Sequence, residues 1–62
     1  MKTFRVRNGK AIGFTKKARQ SVFDYTLTAL NGDVDKANSV VDEFEKTEVK
    51  IANNALSLGY SI

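Results

Sequence analysis

DVDKANSVVDEFEKTEVKIANNALSL, residues 33–58, is the stretch on which the fold turns. Set Phe44 at the centre of a helical wheel advancing about 100° per residue. Ala37, Val40, Val41, Ile51, Ala55 and Leu58 then fall within about 60° of it. The spacing predicts a single amphipathic helix over 33–58, roughly 39 Å long at about 1.5 Å per residue. In a chain of 62 residues, such a helix has more apolar stripe than its own domain can cover.

Upstream, Asn31-Gly32 supplies residues suited to the left-handed conformation that ends a helix, and Asp33 is a good N-cap for the next. Asp35 in the first turn suits the helix dipole. The preceding helix is expected over 16–30, with Thr15 as its N-cap. Ala18, Val22, Tyr25, Thr26 and Ala29 form its stripe, flanked by Phe23, Leu27 and Leu30. So short a connection makes the two helices an antiparallel hairpin.

Further upstream, Asn8-Gly9 between alternating apolar residues predicts a β-hairpin over 3–15. A two-residue turn would set Val6 opposite Ala11 and Arg5 opposite Ile12, scattering the apolar residues over both faces. A three-residue loop, Arg7-Asn8-Gly9, sets Phe4 opposite Ile12 and gathers Phe4, Val6, Ile12 and Phe14 on one face. The register that buries a whole face is expected. That face should pack on Val22, Tyr25, Ala29 and Phe44. Gly13 marks a bend or a close approach of another chain. The fold class is therefore α+β in the order ββαα, one domain over 1–62.

Downstream, Val49, Ala52 and Leu56 broaden the apolar surface to one side, beyond the reach of the shorter helix. Gly59 stops the helix, and Tyr60-Ser61-Ile62 forms a tail. A chain this small buries only about 60% of its unfolded surface and usually needs a disulfide, a metal or association. With no Cys and no His, association remains. A homodimer is expected, with Val49, Ala52, Leu56 and Tyr60 as its interface.

Charge is strongly segregated. Residues 1–19 hold Lys2, Arg5, Arg7, Lys10, Lys16, Lys17 and Arg19 and no acid, a balance of +7. Residues 20–62 set three lysines against seven acids, a balance of −4. Lys16 and Lys17 occupy a first helical turn, where positive charge opposes the dipole. Free amides and cations there make a phosphate site, and a two-stranded ribbon can enter a major groove. Arg5, Arg7, Lys10, Lys16, Lys17 and Arg19 are therefore the candidate nucleic-acid contacts. Against this stands the plain reading that Lys and Arg guard an edge strand from aggregation.

The acids Asp42, Glu43, Glu45 and Glu48 read as a solvated helix face, with Asp42 and Lys46 supporting each other four residues apart. Glu48 is the exception, lying inside the stripe and needing water or a basic partner. The Phe residues and Tyr25 sit at core positions, whereas Tyr60 is free for a partner. Without His or Cys the commonest base and the readiest nucleophile are missing, and no phosphate-cradling glycine loop occurs. No enzyme activity, cofactor or metal is expected. No apolar run reaches the roughly 20 residues that span a bilayer, and the start is not a signal peptide, so a cytoplasmic, intracellular protein is expected.

Thr3-Phe4-Arg5-Val6-Arg7 followed by a helix, Asn31-Gly32-Asp33 and a second helix resembles the ribbon-helix-helix repressors over about a third of the chain. The resemblance implies a dimer that lays a β-ribbon in the major groove. It departs from that pattern in having an internal hairpin and a longer second helix. The expectation is a small, dimeric, DNA-binding regulatory or accessory protein of the size found on phages and mobile elements. The alternative is a protein-interaction module or inhibitor acting through the C-terminal helix.

Overall fold

Two strands and two helices follow one another in the computed structural model: β1 (Phe4–Arg7), β2 (Lys10–Phe14), α1 (Lys16–Ala29) and α2 (Val34–Ser57). The structure describes residues 3–61; Met1, Lys2 of the basic third and Ile62 of the tail lie outside the described residues. The long helix reads as the wheel predicts, 24 residues or roughly 36 Å, and sets the molecule's longest extent of 39 Å.

Helix ends follow local chemistry. Thr15 and Asp33 cap α1 and α2, each accepting the N–H three residues on, at 3.3 and 3.1 Å. Both C-termini close in the same way. Asn31 is left-handed at φ 56°, and the Gly32 and Asn31 amides donate to Leu27 and Thr28 at 2.8 and 3.2 Å. Gly59 does the same for α2, with Tyr60 donating to Ala55 and Gly59 to Leu56, both at 3.0 Å.

The hairpin corrects the expected register. Asn8 and Gly9 have φ of 53° and 75°, and Arg7 pairs with Lys10, so the loop has two residues, both with the positive φ of a type I′ turn. The pairs are Val6 with Ala11, then Arg5 with Gly13 and Phe4 with Phe14. Ile12 is left over in a bulge, which absorbs the misfit that argued for a three-residue loop.

The buried face is accordingly not the expected one. Ala11, Gly13 and Phe14 are buried, whereas Val6 and Ile12 are 52% and 50% exposed. The core is small: Ala11 and Phe14 of β2 with Ala37, Val41 and Ala52 of α2. A row of rings joins hairpin to helix, Phe4 to Phe14 at 5.6 Å and Phe14 to Phe44 at 5.9 Å between centroids. α2 packs on both β2 and α1, and α1 touches β2 only slightly. Hence α1 buries none of its side chains fully. Val22 is half-buried, Ala29 exposed and Tyr25 80% exposed, so the expected packing of Tyr25 and Ala29 under the hairpin does not form.

Candidate nucleic-acid interface

The outer edge of β2 is sealed by side chains of α2 rather than by a third strand. Asn53 accepts from the Ala11 N–H through Oδ1 at 2.7 Å and donates through Nδ2 to the Ala11 carbonyl at 3.0 Å. Eight residues earlier, Glu45 Oε2 accepts from the Phe14 N–H at 2.7 Å. Two side chains two helical turns apart thus match two strand residues three apart, both spans being near 10–12 Å. Gly13 lets this happen: a methyl group there would stand 3.0 Å from Arg5 Nη2 and 3.1 Å from Glu45 Oε2. The close approach at Gly13 is therefore made by α2 of the same chain, not by another chain as expected.

Arg19 is drawn into the same network. Its guanidinium donates to Glu45 Oε1 at 2.8 Å and to Asp42 Oδ1 at 2.7 Å. The hydrogen bond to Asp42 is the largest cause of a pKa raised above the usual arginine value, followed by the charge of Glu45, against a lowering from partial burial. Arg5 is partly engaged too, its Nε donating to the Phe14 carbonyl at 3.1 Å. Both arginines thus hold the fold, which leaves them less able to reach a ligand.

The other four candidates stand free of acids. Arg7, Lys10, Lys16 and Lys17 are exposed and form no ion pair among the described residues. They fall into two groups. Arg7 and Lys10 flank the turn at the tip of the hairpin. Lys16 and Lys17 open α1 at its base, in a first turn that holds no acid. Strand β2, five residues long, separates the groups by roughly 13 Å over its length.

Other expected sites sit differently. The expected Asp42–Lys46 pair is replaced: Asp42 binds Arg19, and Lys46 approaches Glu43 at 3.8 Å on an exposed surface. Glu48 is half-buried and forms no ion pair among the described residues. Of the expected dimer interface, Ala52 is buried on the side of α2 that carries Asn53, Val49 and Leu56 are half-buried, and Tyr60 is exposed. Glu45 and Asn53 were the residues that sequence reasoning missed as structural groups. For Glu45 the one sign was its place about 20° from Ala52 on the wheel; for Asn53 there was none.

No helix among the described residues is long and apolar enough to cross a membrane. Comparison with protein-family models, with curated proteins and with solved structures gives no significant match, so no family stands behind these groups and their meaning rests on the chemistry alone.

Proposed function

We propose that this chain is a small, oligomeric nucleic-acid-binding protein of regulatory or accessory type, duplex DNA being the expected ligand. One observation carries the reading: Arg7, Lys10, Lys16 and Lys17 form no ion pair among the described residues although the same chain holds seven acids. Arg19 shows that the fold pairs a cation with acids where structure needs it. Lys16 and Lys17, set against the dipole of α1, cost stability in isolation. Phosphate bound at that helix start recovers the cost, since the free amides and both ammonium groups favour an anion. The two groups, roughly 13 Å apart, span about four base pairs of duplex at 3.4 Å per pair.

Binding is tested by fluorescence anisotropy of labelled duplex at several salt concentrations. Four phosphate contacts per chain give a slope of log affinity against log salt near −3.6. Replacing Lys16 and Lys17 with Ala should make the slope shallower by about 1.8. Absence of binding at low salt would sink the reading. Those cations would then serve as solvated guards of the edge strand β1.

A second reading is a protein-interaction module acting through the C-terminal helix, which Ile51, Leu58 and Tyr60 favour with exposures of 58%, 69% and 67%. It requires binding that survives the loss of Arg7 and Lys10, whereas the nucleic-acid reading does not.

A further inference from the structure

Four apolar side chains along α2 and its C-cap are covered only in part. Val40, Phe44, Ile51 and Leu58 are all substantially exposed, and they fall within about 40° of one another on the helical wheel. Of the buried residues of α2, Val41 and Ala52 lie roughly 90° round the same helix, and Ala37, in the half that α1 flanks, lies between the two lines. The stripe that suggested one wide core face is thus split. One side is consumed by β2 and α1, and the other faces outward.

The outward side differs along its length. Over the first half of α2, Val40 and Phe44 form one wall of an open, almost wholly apolar groove, whose other wall is Val22 and Tyr25 of α1. α1 runs alongside only that half. Past it, Ile51 and Leu58 continue the same line as a bare ridge. One helix therefore carries a groove at its N-terminal half and a ridge at its C-terminal half, on a single arc.

We propose that a second copy of this chain occupies this face, its α2 antiparallel to the first. A two-fold axis near Thr47 lays Ile51 of each copy into the Val22–Tyr25–Val40–Phe44 groove of the other, with Leu58 just past Val40 at the end of that groove, beside Lys36. One self-complementary patch then buries both halves at once, which is the condition for a closed dimer. A parallel pairing would set ridge on ridge and leave both grooves empty. The flanking charges select the same direction. Lys36, Glu43 and Lys50 follow each other every seven residues along one border of the seam. The antiparallel pairing sets Glu43 beside Lys50 of the second copy, and the two-fold repeats the pair; a parallel pairing would put the two copies of this border on opposite sides of the seam, so that Glu43 and Lys50 would not meet. The assembly is a four-helix layer α1–α2–α2–α1, with shallow crossing at the centre. It deepens the oligomeric part of the reading above, and its test involves no nucleic acid.

The chain has no cysteine, so single cysteines report the geometry directly. A disulfide needs Cα atoms within about 7 Å. Thr47→Cys, at the axis, should cross-link to itself under mild oxidation. Leu58→Cys should not, because antiparallel helices hold the two copies of that position roughly 30 Å apart. Light scattering across a concentration series should give twice the 6.9 kDa chain mass. Ile51→Glu should weaken the dimer roughly a hundredfold, a buried lone carboxylate being the cause, while circular dichroism shows the helices kept. Glu43→Lys alone should weaken it several-fold, and Glu43→Lys with Lys50→Glu should restore it. A monomer at every concentration, self-cross-linking at Leu58→Cys, or a dimer indifferent to Ile51→Glu would each overturn the proposal.

Discussion

At the scale of single residues, the fold hangs on polar side chains that reach backbone groups. Glu45 holds the Phe14 N–H with one oxygen and Arg19 with the other. Glu45→Ala leaves a part-buried amide without its acceptor, at a cost of about 1–3 kcal/mol. Glu45→Gln keeps an acceptor and loses the charge, so it should cost less; urea unfolding of the two variants measures the difference. Asn53 is both donor and acceptor to Ala11, and Asn53→Asp replaces the donor with an anion facing a carbonyl. It should therefore be worse than Asn53→Ala in the same assay. Arg19 adds a sign check in pH. Its folded pKa is raised, so its contribution is present below the ordinary guanidinium range and is lost only as pH rises through the folded value. Titration over neutral pH should show no loss of stability from this group.

At the scale of elements, turn chemistry outranks burial. Asn8-Gly9 takes the two-residue turn that suits it, and the strand accommodates the mismatch by expelling Ile12. Two expectations follow for the hairpin. Ile12→Thr should change stability by less than about 0.5 kcal/mol, as an exposed substitution does, although the residue looks like core in the sequence. Gly9→Ala should cost about 1–2 kcal/mol, because the left-handed backbone is retained with a Cβ present. α1 is the loosest helix, with no side chain fully buried. Its amides should exchange with solvent faster than those around Val41 and Ala52, as hydrogen-exchange mass spectrometry would read directly.

At the scale of the molecule, a core of two residues from β2 and three from α2, three of the five being alanines, leaves little stability for a free chain. If the outward face of α2 is covered by a second copy, folding and association are linked. The midpoint of thermal unfolding should then rise with protein concentration, measured by circular dichroism; a midpoint independent of concentration would set a lone chain in its place. Among the described residues, ion pairs join the basic third to the acidic helix at one place, Arg19 with Asp42 and Glu45, so the segregation of charge otherwise outlives folding among them.

Much of what neighbours in the chain govern was legible beforehand. The order ββαα, the caps Thr15 and Asp33, the stop at Asn31-Gly32 and the presence of a turn at Asn8-Gly9 depend on local backbone preference and periodicity, and they appear where the sequence puts them. The length of that turn and the register it sets were not, because burial argued for three residues and the left-handed preference of Asn8-Gly9 for two. What sequence alone left open is which half of a wide apolar arc meets its own chain, and which charges become structural. Those choices depend on contacts 26 to 42 residues apart, Arg19 to Glu45 and Ala11 to Asn53. Close approach at Gly13 sets α2 so that Glu45 and Asn53 seal the strand edge, and the same setting leaves Ile51 and Leu58 outward and Phe44 covered only on its Phe14 side. A wheel gives the width of a stripe, and only the docked strand decides how much of it remains uncovered.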